Sequence, residues 1–129
     1  METSQRVHLL RRVLLAKVVL TVLVWGLPAL IGPPALLELF SLAMPQDPVF
    51  LRMLGALAIA LAVAYWYAYQ DPVRNVAILK VGIIDNGLAT LTVIVLSLTA
   101  GISSWFIWVS AALTAFFCIA FVVLMPRNA

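Results

Sequence analysis

The stretch PVRNVAILKVGIIDNGLATLTVIVLSLTA, residues 72–100, decides the architecture. Beyond Arg74 at its start it carries only two charged side chains, Lys80 and Asp85, in a continuous apolar run. The run lacks the apolar–polar alternation of a membrane barrel strand, so it reads as helix. A bilayer core of roughly 30 Å needs about 20 residues of helix. Three further runs of this kind cover residues 12–31, 48–69 and 104–125.

Four spans and their short links use nearly all of the 129 residues, leaving a single domain over residues 1–129. The chain is 65% hydrophobic and 10% charged, with a mean hydropathy of +1.15. Ordinary soluble domains carry about a quarter charged residues. The expected fold is therefore an all-α membrane protein, a four-transmembrane-helix bundle. A short interfacial helix over residues 34–44 is expected between spans one and two. Its Leu36, Leu37, Leu39, Phe40, Ala43 and Met44 share one broad face, and Pro34, Glu38 and Ser41 share the other.

The first span is read as a retained helix rather than a cleaved signal. Its apolar stretch runs too far, and Gly32-Pro33-Pro34 stands where a small-x-small cleavage site would be. Pro28 is expected to kink it or end it early. Gln-Asp-Pro-Val occurs at residues 46–49 and again at 70–73. An aspartate followed by proline is helix-start grammar, so spans two and three are expected to begin at 48 and 72.

The formal charge is +3. The charges flank the spans, which points to orientation and anionic lipid rather than nucleic acid. Arg6, Arg11, Arg12, Lys17, Arg74, Lys80 and Arg127 fall on one side of a four-span topology, so both termini are expected to be cytoplasmic. Tyr65, Trp66, Tyr67 and Tyr69 at the end of span two, and Trp105 and Trp108 at the start of span four, are expected to form interfacial belts.

Small residues let helices approach closely in lipid. In span two Ala56, Ala60, Ala64 and Ala68 recur every four residues, widened by Gly55, Ala58 and Ala62. Span three contributes Gly82 and Ala89. These positions are the expected packing seam, with some surplus for a partner.

The intramembrane polar candidates are Asp85, Asn86, Lys17 and Lys80. Asp85 shares a face with Gly82, Asn86, Ala89 and Thr90, so it should face protein. Lys80 lies five residues earlier, turned well away, and is expected to reach the membrane surface. Lys17 is the expected partner for Asp85. Three roles stay open for Asp85: a hydrogen-bonded structural acid, a polar anchor at a subunit contact, or a transport acid. The single histidine, His8, and the single cysteine, Cys118, give no metal or catalytic set. No catalytic residue, metal or cofactor is expected.

The segment 52–86, with its Tyr-Trp-Tyr-Ala-Tyr-Gln-Asp-Pro-Val-Arg-Asn turn at 65–75, resembles small bacterial four-span proteins of the broad DoxX-like type. The resemblance covers about a quarter of the chain. It implies a four-helix bundle in a bacterial inner membrane and little about activity. The expected function is a non-catalytic accessory or scaffold subunit of a larger membrane complex, with a bioenergetic complex among the candidates and other membrane subunits as partners. The alternative is a small homo-oligomeric transporter or channel component using Asp85.

Overall fold

The computed structural model describes residues 3–102 and 104–127. All regular structure among these residues is helical. Four helices are long and apolar enough to cross a membrane: α1 (Thr3–Ile31), α3 (Val49–Gln70), α4 (Val76–Ala100) and α5 (Trp105–Leu124). The short helix α2 (Pro34–Leu39) lies between the first two. The chain is thus a four-span membrane bundle. α1 packs on both α3 and α5, and α5 packs on α4; of the neighbouring pairs around this ring, α3 and α4 meet least.

α1 begins well before residue 12, because residues 3–11 hold no helix breaker and continue the helix through the basic lead. It also runs through Pro28. Thr21–Gly26 adopt a π-helical turn, in which the Leu27 amide donates to the Val22 carbonyl. Widening the helix just ahead of the proline makes room for a ring that a regular turn would reject. The carbonyl of Ala29 would normally receive the amide four residues on, but that residue is Pro33. Arg52 Nη1 takes the place, donating to Ala29 O at 3.2 Å.

α2 is shorter than the expected 34–44. It ends at Leu39, and Ser41 turns the chain with a φ of 55°. Phe40 stacks on Phe106 with centroids 4.3 Å apart. Ser104 Oγ donates to Phe40 O at 2.7 Å, and Trp105 Nε1 donates to Leu39 O at 3.2 Å. The segment is therefore fastened to the start of α5. Ser104 Oγ also accepts the Ile107 amide, capping that helix.

The link after α3 differs from expectation as well. Residues 72–75 are a turn, and α4 starts at Val76 rather than at 72. Asn75 Nδ2 donates to the carbonyls of Tyr67 and Asp71, at 3.2 and 2.8 Å, satisfying acceptors at the end of α3. Asp71 Oδ1 accepts the Arg74 amide, so its carboxylate closes the turn instead of starting a helix. Gly101, with a φ of 68°, ends α4 in the left-handed conformation that glycine adopts freely.

The tight core lies in the half of the bundle nearest the termini. Leu10 and Leu14 of α1, Tyr65 and Ala68 of α3, Leu79 of α4, and Phe117, Phe121 and Leu124 of α5 are buried together. The α1–α3 crossing depends on Gly55. A Cβ there would collide with the backbone of Leu30 and lie 2.7 Å from Gly26 O.

Candidate functional site: a polar cluster at the floor of a cavity

Lys17 lies about 21 Å along α1, near the middle of a helix about 43 Å long. It is buried, and its Nζ donates to Asn86 Oδ1 of α4 at 2.7 Å. Asn86 is fully buried too, and its Nδ2 donates to Gly82 O at 2.7 Å. Because a carbonyl can only accept, this second bond orients the amide with its oxygen toward Lys17. Asn86 Nδ2 also reaches Tyr65 Oη at 3.4 Å, and Tyr65 Oη donates to Asp85 Oδ2 at 3.4 Å. Both of these bonds are long.

Lys17 thus makes its hydrogen bond to Asn86 and not to Asp85, the partner the sequence suggested, whose carboxylate acts on the amine only at longer range. The two neighbours project about 100° apart around α4. Asn86 points at the core, whereas Asp85 is half-buried at its edge. Lys80 is exposed, away from the cluster.

Aromatic faces surround the Lys17 amine. Its Nζ stands 4.8 Å from the Trp25 ring centroid, 4.9 Å from that of Phe117 and 5.5 Å from that of Tyr65. A lysine inside a membrane span costs up to roughly 2.5–3.5 kcal/mol on insertion scales. Each desolvated cation–π contact returns about 0.5–2 kcal/mol, the same order as that cost. Trp25 is itself held, its Nε1 donating to Ser110 Oγ at 2.8 Å. Below it, Thr90 and Thr114 share a hydrogen bond of 2.7 Å across α4 and α5.

Tyr65 corrects another expectation. It is not an interfacial aromatic but a fully buried core residue, stacked near Phe121 at 5.9 Å. Gly82 makes room for that pair, since a Cβ would stand 2.9 Å from Phe121 and 3.0 Å from Tyr65. Trp66, Tyr67, Trp105 and Trp108 are exposed, as belt residues would be. Tyr69 is half-buried beneath Arg11, which lies over its ring at 4.8 Å and donates Nε to its carbonyl.

The alanine ladder needs correcting as well. Ala56 and Ala60 face outward, Ala64 is half-buried and Ala68 is buried. The inward seam of α3 is Gly55, Ala62, Tyr65 and Ala68. A strict four-residue repeat drifts by about 40° per step on a helix of 3.6 residues per turn, so it cannot stay on one face. Ala89 is half-buried.

Above the polar cluster lies a cavity of about 650 Å³. Lys17, Thr21, Trp25, Asp85, Asn86 and Ser110 supply its polar edge, and Leu37 and Phe40 of the α2 segment help to roof it. Thr21 and Trp25 were missed in the sequence, although Lys17, Thr21 and Trp25 recur every four residues along α1. Among the described residues, no group of three His, Cys, Asp or Glu side chains is placed to hold a metal.

Compared with protein-family models, curated proteins and solved structures, the chain gives no significant match. The DoxX-like resemblance of residues 52–86 thus gains no support from a family match.

Proposed function

We propose that this protein is a non-catalytic accessory subunit of a larger bacterial membrane complex. In this reading it sits in the inner membrane with both termini cytoplasmic, and a DoxX-like kinship belongs to the same proposal. The observation that carries it is the outward placement of Ala56 and Ala60 on α3. Small residues facing lipid gain little, whereas a neighbouring helix can approach closely over them. A groove of about 280 Å³ on the surface of α4 and α5, lined by Gly87, Ala115 and Cys118 among others, offers a second such seat.

Purification in mild detergent followed by mass spectrometry tests this reading. A defined set of other membrane proteins should accompany the chain. Ala60→Leu should release them while leaving the thermal unfolding of the bundle unchanged. Recovery of the chain alone, or as copies of itself, would overturn the subunit reading.

A second reading is a small oligomeric transporter. Its support is that Asp85 lines the cavity and, among the described residues, takes one long hydrogen bond, from Tyr65. Ion flux in liposomes that disappears in Asp85→Asn would favour it.

A further inference from the structure

We propose that the cavity is a binding site for one neutral, single-chain amphiphile. Its carbonyl or hydroxyl oxygens would lie at Lys17 and Thr21, with its hydrocarbon beneath the α2 segment. Four observations, independent of any partner complex, carry this.

The first is size. A volume of about 650 Å³ lies in the middle of the range for small-molecule sites, about 300–1,000 Å³. The second is unused hydrogen-bonding capacity. Among the described residues Thr21 Oγ1 is buried without a hydrogen-bond partner, and Thr21 lines the cavity one turn beyond Lys17. The Lys17 amine has three donors, of which Asn86 takes one. Buried polar groups are normally satisfied, so a polar ligand with an accepting oxygen fits here.

The third is charge. Lys17 and Asp85 both line the cavity, one a basic and one an acidic side chain. An anionic head attracted to Lys17 would meet Asp85, and a cationic head would meet Lys17, so a neutral head is favoured. The fourth is access. Leu54 and Leu57 of α3 line the cavity, yet are 60% and 66% exposed. α3 meets α4 less than it meets α1, and the exposed cavity-lining leucines put the opening toward the bilayer, so the ligand arrives from lipid.

Trp25 lines the cavity and gives the test its readout. The purified chain, in liposomes of phosphatidylcholine, is titrated with three brominated single-chain probes: a monoacylglycerol, a fatty acid and an alkylamine. The monoacylglycerol should quench tryptophan fluorescence with a saturable component that Trp25→Phe removes. The fatty acid and the amine should need at least about tenfold more probe. Thr21→Val, which keeps shape and removes the hydroxyl, should weaken the monoacylglycerol about five- to tenfold. Ala89→Leu, which narrows the cavity, should weaken all binding and serves should Thr21→Val fail to fold. Quenching that never saturates would overturn the proposal. So would fatty acid or amine binding as tightly as the monoacylglycerol, or a Thr21→Val chain that folds and binds unchanged. Native mass spectrometry of the purified chain distinguishes a retained bilayer glyceride from a free lipid-soluble carbonyl compound by its mass.

Discussion

Lys17 of the first span and Asn86 of the third, 69 residues apart in sequence, meet across the bundle in a hydrogen bond of 2.7 Å. The bond joins two spans on opposite sides of the ring of helices. It therefore acts as a strut at the level where the tight core of the terminal half gives way to the cavity. The aromatic faces around Lys17 and the second bond from Asn86 to Gly82 O keep both ends oriented.

Asn86→Leu leaves the Lys17 amine without its acceptor. It should lower stability by about 1.5–3 kcal/mol, the range for a hydrogen bond to a charged group. Lys17→Met combined with Asn86→Leu should recover much of that loss, because removing both partners leaves no unpaired buried charge. Unfolding in mild detergent, run as a double-mutant cycle, measures the coupling. Losses that simply add would show that the two residues do not depend on one another.

Gly55→Ala should cost about 1–3 kcal/mol, since the added methyl meets the backbone of α1 at Leu30 and Gly26. Ala60→Leu, though the larger change, should shift the stability of the isolated chain by no more than about 0.5 kcal/mol, because Ala60 faces outward. Thermal unfolding of the two variants side by side decides the matter. The reverse order of effects would mean that α3 presents its other face to α1.

For Asp85→Asn the expected change in stability is under about 1 kcal/mol. Tyr65 can still donate to the amide oxygen, and a half-buried ionisable group is removed. Asp85→Leu should be worse, because the Tyr65 hydroxyl, deep in the core, then loses its acceptor. Unfolding curves for both variants check this. A loss in Asp85→Asn as large as in Asn86→Leu would place Asp85 inside the strut rather than beside it.

Orientation can be read with single cysteines in a Cys118→Ala background. Labels that cannot cross the membrane should reach residues 46 and 101 from outside intact spheroplasts. They should reach residues 5 and 74 only after lysis. Labelling of residue 74 from outside would reverse the topology drawn from the distribution of Lys and Arg.

The number and rough extent of the spans were legible in the sequence, because a bilayer imposes a length and a composition that four apolar runs satisfy unmistakably. The exposure of Lys80, away from the polar cluster, was legible for a related reason: five residues turn a helix past a full circle, so it cannot share a face with Asp85. The helix ends were less legible. Asp71 and Pro72 look like a helix start, but Asn75 competes for the same backbone groups and holds four residues as a turn.

Tertiary structure alone decided which polar groups meet. Periodicity assigns each residue an angle around its own helix, but not the rotation of that helix against its neighbours. Asp85 and Asn86 are adjacent, and one residue of rotation chooses which of them faces Lys17. That rotation is set by close approaches, one remote from both residues, Gly55 against the backbone of α1, and one a single turn before Asn86, Gly82 beneath the Tyr65 and Phe121 rings. The same contacts carried Tyr65 from the expected belt into the core. They also turned Ala56 and Ala60 outward and left α3 and α4 far enough apart to enclose the cavity.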